Sequence, residues 1–245
     1  MTARPPAILV AASFARDRRY LLDEVLVPAD YVTSLLRAGG APLVVPPMPD
    51  GPAWRRLVAQ GDALLVIGGL DIDPARYGQK PHPRTEQSTA VRQEADARLL
   101  AWAERRRLPV LGVCLGIQTL NVERGGTLIQ HIPDRRRRDA IGHLRRPYQP
   151  RPRHPVHIDP TSRLARIVGA APLRVNTSHH QALDRLGRHL RAVAWSPDGL
   201  VEAVEDDRPQ RFVIGVQWHP EELYRQKRHL ALFEALVRAA RRHRT

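Results

Sequence analysis

Residues 108–118 read Leu-Pro-Val-Leu-Gly-Val-Cys-Leu-Gly-Ile-Gln, and this stretch restricts the fold more than any other. The apolar run from Leu108 to Val113 suits a buried strand. It stops at Cys114, the only cysteine in the chain, and a helical pattern follows with Ile117, Leu120 and Val122 among polar residues. Strand, sharp turn and helix around a nucleophilic residue flanked by glycines form a G-x-nucleophile-x-G elbow, here with cysteine in place of serine. Gly112 and Gly116 lack a Cβ, so strand and helix can approach closely around a strained turn. Cys114 would then lie at the positive end of the helix, which favours a thiolate. A lone cysteine after a buried strand is more often a small core hydrophobe. The flanking glycines and the downstream residues described below reverse that balance.

The elements around the elbow alternate. Residues 7–14, 42–46 and 63–67 are apolar enough for buried strands, and the last stops at Gly68-Gly69. Residues 29–38 predict a helix with Tyr31, Val32, Leu35 and Leu36 on one stripe, and residues 52–60 a shorter one. Residues 89–106 predict a helix with Val91, Ala95, Leu99 and Trp102 on one face. Alternating strands and helices imply an α/β fold, a parallel sheet covered on both faces. Functional groups in such sheets gather beyond the carboxyl ends of the strands, where Gly68-Gly69 and Cys114 both fall. Beyond Gly125-Gly126 the pattern shifts to short strands at 156–159, 173–175, 190–195, 200–205 and 212–217, then a terminal helix at 227–242 with Leu230, Phe233, Leu236 and Val237 inward. Residues 134–154, rich in Arg and Pro, predict an exposed excursion. No internal repeat or linker interrupts residues 1–245, which read as a single domain.

Composition narrows the function. One cysteine excludes a disulfide framework and a cysteine-based zinc site. No apolar stretch approaches the roughly 20 residues of a membrane span, and the N-terminus lacks the features of a signal peptide. A cytoplasmic protein without membrane contact is expected. The formal charge of +14 invites a nucleic-acid reading, but all of the 39 basic residues except Lys80 and Lys227 are arginines spread along the chain. The longest run, Arg135 to Arg138, has no interleaved aromatics to stack bases. A solvated loop explains it better, and no specific nucleic-acid partner is expected.

Three stretches could work with Cys114. Trp218-His219-Pro220-Glu221 follows the last strand. Pro220 biases His219 toward extended backbone, and residues two apart in extended chain point the same way. His219 could serve as the base for Cys114, with Glu221 orienting it. A surface histidine beside a helix-starting glutamate is the alternative. At Gly68-Gly69 the backbone N–H groups can turn toward a ligand, and the Gly69 and Leu115 N–H groups together could form an oxyanion hole. A lone Gly-Gly is otherwise an ordinary turn. Asp71 and Asp73 are weak evidence for a metal. The stretch 175–181, Val-Asn-Thr-Ser-His-His-Gln, could bind a charged small substrate, be a solvated loop, or form a metal site with His143 and His219. No metal-ligand spacing supports the last, so neither metal nor cofactor is expected. His82, His131 and His229 read as surface residues.

Together, Pro109 to Gln118, Asn121-Val122, Gly125 to Leu128, Asn176 to Gln181 and Gly215 to Glu221 resemble class I glutamine amidotransferase-like hydrolases. With Asp71, Asp73, Pro74 and Tyr77-Gly78, the chain is similar to the γ-glutamyl-γ-aminobutyrate hydrolase branch, the peptidase C26 group. The resemblance implies a flavodoxin-like three-layer α/β/α fold, with a mostly parallel central sheet and additional short antiparallel strands. It also implies a Cys114-His219-Glu221 triad that hydrolyses a γ-glutamyl amide through a thioester, in polyamine or related amine catabolism. Gln118 matches a family glutamine at the γ-glutamyl end, and His179 and His180 match the substrate-side cluster. The branch commonly has Arg after the nucleophile. Here it is Leu115, as in glutamine amidotransferases, so the amine-side specificity is open. A glutaminase subunit feeding a partner synthetase is the second reading, and a basic nucleic-acid-binding or regulatory protein on the same fold the third. A homo-oligomer stays open.

Overall fold

The computed structural model describes residues 4–16, 23–135, 141–144 and 151–243. Its strands are β1 (Ala7–Ala11), β2 (Ser13–Arg16), β3 (Asp23–Leu26), β4 (Ala41–Val45), β5 (Ala63–Val66), β6 (Val110–Val113), β7 (Leu128–Ile129), β8 (Arg153–Ile158), β9 (Leu173–Asn176), β10 (Ala182–Leu183), β11 (Leu190–Trp195), β12 (Val201–Asp206) and β13 (Val213–Val216). The helices are α1 (Ala29–Arg37), α2 (Pro52–Val58), α3 (Ala90–Arg105), α4 (Leu115–Glu123), α5 (Arg163–Val168) and α6 (Lys227–His243). Nine strands form one sheet in the order β4-β1-β5-β6-β13-β12-β11-β8-β9. The first five run parallel, and the rest continue the sheet antiparallel.

Alternation along the parallel strands builds the layers. Ile8, Val10, Leu65 and Leu111 face one side, where they pack with Tyr31 and Leu35 of α1 and Phe233 and Leu236 of α6. Leu9, Ala11, Leu64 and Val66 face the other, against Trp54 of α2, Leu99 and Ala103 of α3 and Ile117 and Leu120 of α4. With both faces buried, period-2 alternation of polarity disappears and the strands read as continuous apolar runs. The three-layer α/β expectation is met.

Local readings need correction. Leu36 and Val91 are exposed, and α3 buries Arg92 and Asp96 instead. Those two pair at 2.7 Å one helical turn apart, which lets a charged stripe go inward. His229 is fully buried rather than on the surface. It shares the inward face of α6 with Leu232, Phe233 and Leu236, and burial presses its pKa down to about 4. The excursion ends earlier than expected, because β8 begins at Arg153. Within the basic run, Arg136, Arg137 and Arg138 lie outside the described residues, as do Arg145 and Arg146.

The elbow leaves no room for side chains at its glycines. A Cβ on Gly116 would collide with the Val66 carbonyl oxygen, and one on Gly112 would come within 2.7 Å of the Gly116 backbone. Gly116→Ala is therefore expected to cost on the order of 1–3 kcal/mol by overpacking. Gly51→Ala, with nothing within 4 Å of the new Cβ, should change stability by less than about 0.5 kcal/mol. Urea unfolding midpoints of the two variants check the contrast.

Candidate active site

Strands β5, β6 and β13 are neighbours in the parallel part of the sheet. Gly68-Gly69 follows β5, Cys114 follows β6, and Gln217-Trp218-His219 follows β13. Three stretches far apart in sequence thus leave adjacent carboxyl ends, where α/β sheets place their sites. Cys114 sits at φ 53° and ψ −106°, a conformation that L-residues avoid. Its N–H donates to the Val216 carbonyl at 2.9 Å, and α4 starts at the next residue. The turn thus aims the side chain at the positive end of α4.

His219 is buried, and its Nδ1 lies 2.7 Å from Glu221 Oε1. A carboxylate only accepts, so Nδ1–H donates to it and Nε2 is left for Cys114. Burial alone would lower the His219 pKa. Cys114 and then Glu221 outweigh burial and raise it to about 10. Gly68 packs against both partners: a Cβ there would lie 3.1 Å from His219 Cε1 and 3.6 Å from Cys114 Cβ. The expected grouping of Cys114, His219 and Glu221 is present.

Four further residues complete the arrangement. Gln217, fully buried, points its Nε2 at Cys114 Sγ from 3.7 Å. Asn176 Oδ1 accepts from the His219 N–H at 3.1 Å. Tyr31, read from sequence as a core residue, accepts the Gly68 N–H on its hydroxyl at 3.0 Å. Burial first, then the Glu221 carboxylate, push that phenol well above its usual range, so it stays neutral. Arg92 donates to the Ile67 carbonyl at 3.1 Å, directly before Gly68-Gly69. Asn176, in a dense polar stretch, and Gln217, inside the Gly215 to Glu221 stretch, carried a sequence signal, though neither was singled out for a role. The others act across the fold and leave no local pattern.

A cavity of about 470 Å³ opens beside Cys114 and Gly69, with Gln118, His180, Arg84 and Glu86 on its wall. Among the described residues, the Gly69 and Leu115 N–H groups donate to no other protein group, as an oxyanion hole requires. Gln118 reaches the cavity while its Nε2 donates to Gln217 Oε1 at 3.2 Å and to the Gln181 carbonyl at 3.4 Å. His180 Nε2 bonds Asp71 at 2.9 Å. That hydrogen bond is the main cause of its raised pKa. His131, read as a surface residue, also lines the cavity, with its Nδ1 3.2 Å from that of His180. His179 lines the cavity too, but its ring is buried and bonded to the Gln181 carbonyl at 2.9 Å. Asp73 caps a turn by accepting from the Ala75 N–H. His143 and His219 do not form the suggested metal pair, because His143 bonds Asp198 in another part of the interior.

The elbow cysteine stands beside a buried histidine–glutamate pair on a parallel sheet covered by helices, and the family into which the chain falls is one of cysteine hydrolases and glutamine amidotransferases. The family model of Peptidase C26 matches residues 7–221, and the chain belongs to that family. It is 42% identical over 217 residues to the "Putative glutamine amidotransferase Rv2859c" of Mycobacterium tuberculosis, covering 87% of this chain and 67% of that one. It is 30% identical over 226 residues to the γ-glutamyl-γ-aminobutyrate hydrolase of Escherichia coli O157:H7, covering 87% and 85%. The fold resembles a solved "putative gmp synthase subunit a protein" of Thermoplasma acidophilum, with TM-score 0.65, 14% identity and coverage of 98% and 97%. Among the described residues no helix is long and apolar enough to cross a membrane.

The His219 environment predicts a pH dependence of stability. Its folded pKa of about 10 exceeds the ordinary value near 6.5. The stabilisation is fully present below about pH 6.5 and is lost as pH rises through about 10. Melting curves of wild type and His219→Gln from pH 6 to pH 10.5 should show the wild-type advantage shrinking toward the alkaline end. An advantage that grows with pH would contradict the assignment.

Proposed function

We propose that this chain hydrolyses γ-glutamyl amides, with a γ-glutamyl amine such as γ-glutamyl-γ-aminobutyrate as substrate. The supporting observation is Cys114 on its strained turn, between the His219–Glu221 pair and two uncommitted N–H groups. Cys114 passes its proton to His219 Nε2 and attacks the γ-carbonyl carbon through sulfur, and the oxygen takes the electron pair of the π bond. The Gly69 and Leu115 N–H groups stabilise that oxyanion, each donor contributing on the order of 3–4 kcal/mol. The C–N bond then breaks, and His219 gives its proton to the departing amine. Water, deprotonated by His219, attacks the thioester and releases glutamate and the thiolate. Glu221 holds the ring tautomer and stabilises the imidazolium.

The cavity suits that substrate class. Arg84, Glu86 and Asp71 all line it, and charges of both signs complement the carboxylate and ammonium of an α-amino acid. Its volume of about 470 Å³ accommodates a glutamyl group with a short amine tail. Leu115 after the nucleophile favours a second reading, a glutaminase that passes ammonia to a partner synthetase. The relative with 42% identity carries an amidotransferase name, which also favours it. The basic-protein reading draws less support, because several arginines are already paired: Arg124 and Arg208 with Asp206, and Arg211 with Glu104.

Glutamate release from γ-glutamyl-γ-aminobutyrate and from glutamine separates the two enzyme readings. Wild type should turn over the γ-glutamyl amine alone, and Cys114→Ala should lose at least about 10³-fold in kcat. Turnover of glutamine only, and only with an added synthetase, would favour the second reading. An unaffected Cys114→Ala would contradict both.

A further inference from the structure

Away from Cys114, three histidines converge on one buried carboxylate. Glu202 on β12 is fully buried, and neither of its side-chain oxygens has a hydrogen-bond partner. His154 Nε2 on β8 lies 3.5 Å from Glu202 Oε1, His179 Nε2 lies 3.6 Å from it, and His143 Nδ1 lies 3.8 Å from it. All four side chains are at least nine-tenths buried. The two Nε2 atoms are unpartnered. His143 Nδ1 has one other neighbour, Thr177 Oγ1 at 3.3 Å.

Each ring is fixed from its far side by an atom that can only accept. His143 Nε2 meets Asp198 Oδ2 at 3.0 Å, His154 Nδ1 meets the Pro155 carbonyl at 3.0 Å, and His179 Nδ1 meets the Gln181 carbonyl at 2.9 Å. In the neutral imidazole those nitrogens carry the proton, so the other nitrogen of each ring turns a lone pair toward Glu202. Three lone pairs and a carboxylate then face one another. Such a group is stable only with positive charge at its centre. Metal-bound histidines show this pattern, donating the second ring N–H to a carboxylate or backbone carbonyl.

The spacing fits a metal better than direct hydrogen bonds. Tetrahedral zinc with ordinary bond lengths holds nitrogen and oxygen ligands about 3.4 Å apart. The separations of 3.5 to 3.8 Å all lie slightly above that value and exceed a good N–H···O bond. Ligand atoms of His143, His154 and Glu202 all lie within 4.8 Å of one another.

We propose that His143, His154 and Glu202 form a structural site for a divalent transition metal, zinc being the best chemical match, with His179 beside Glu202 at its edge. All three donors are buried and none lines the cavity beside Cys114, so the ion is structural rather than catalytic. It would tie the 141–144 segment, β8 and β12 together, and the loop after β9 meets that point through His179, 3.6 Å from Glu202. That loop carries His179, His180 and Gln181 on the cavity wall, so the ion would hold one side of the substrate cavity in place.

The test uses the full-length chain without an affinity tag, purified without chelator, with metal measured by mass spectrometry. About one zinc per chain is expected, retained in His219→Ala and lost in His154→Ala and Glu202→Ala. Retention in His219→Ala matters because His219, Glu221 and Glu222 form the other candidate trio among the described residues. Metal-stripped wild type provides a reading that needs no folded variant. Added Co²⁺ should give the visible absorption of tetrahedral cobalt, saturating at about one ion per chain, and Zn²⁺ should raise Tm by about 5 °C or more. A wild-type chain that takes up neither ion, with Tm unchanged, would overturn the proposal and leave protonated histidines as the balancing charge. Metal lost in His219→Ala but kept in Glu202→Ala would overturn it as well.

Discussion

At Cys114 the backbone takes φ 53° and ψ −106°, and much of the molecule serves to hold it there. The strain, of order 1–3 kcal/mol for such a residue, persists because the surroundings leave no alternative. The Cys114 N–H is fixed to β13. Gly112 and Gly116 let β6, α4 and β5 meet at backbone distance. The buried faces of both helical layers press the sheet from either side. A larger residue at either glycine would push α4 away and let the turn relax.

The same constraint organises the chemistry. Because β5, β6 and β13 are parallel neighbours, their ends deliver Gly68-Gly69, Cys114 and His219 to one point. Each delivered group is then held by a hydrogen-bonding partner. Tyr31 and Arg92 hold the glycine loop, and Asn176 holds the His219 backbone. The Glu221 carboxylate orients the ring. Preorganisation of this kind matters because a donor displaced by an ångström stabilises little of the charge that develops in a transition state. The buried Arg92–Asp96 pair illustrates what it requires. Burial raises Asp96 to about 6 despite its guanidinium partner, so the support of the loop is bought with an ion pair in the core.

The sequence carries the elbow, the His219–Glu221 spacing and the glycine loop because each is a local pattern with a local cause. The parallel strands are legible as well, since burial on both faces makes them continuous apolar runs. Other features have no local cause. Arg92 and Asp96 look polar and solvent-bound until their pairing at one helical turn is seen inside the protein. His229 does fall on the inward stripe of α6, and weighing periodicity above residue type would have found it. Tyr31 is distinguished only by what lies across the fold. The β2–β3 ribbon and α5 are too short for periodicity to register. His143, His154, His179 and Glu202 come from four separate segments, so no ligand spacing marks them.

The most direct test of the account is to trap the acyl-enzyme. The protein is mixed with a γ-glutamyl amine, quenched in acid and digested, and its peptides are weighed. The account predicts a glutamyl adduct on the peptide containing Cys114 in wild type, and none in Cys114→Ala. Greater accumulation is expected in a variant of Glu221, where deacylation slows. Steady turnover with no adduct on Cys114 under any quench, or an adduct on another residue, would contradict it.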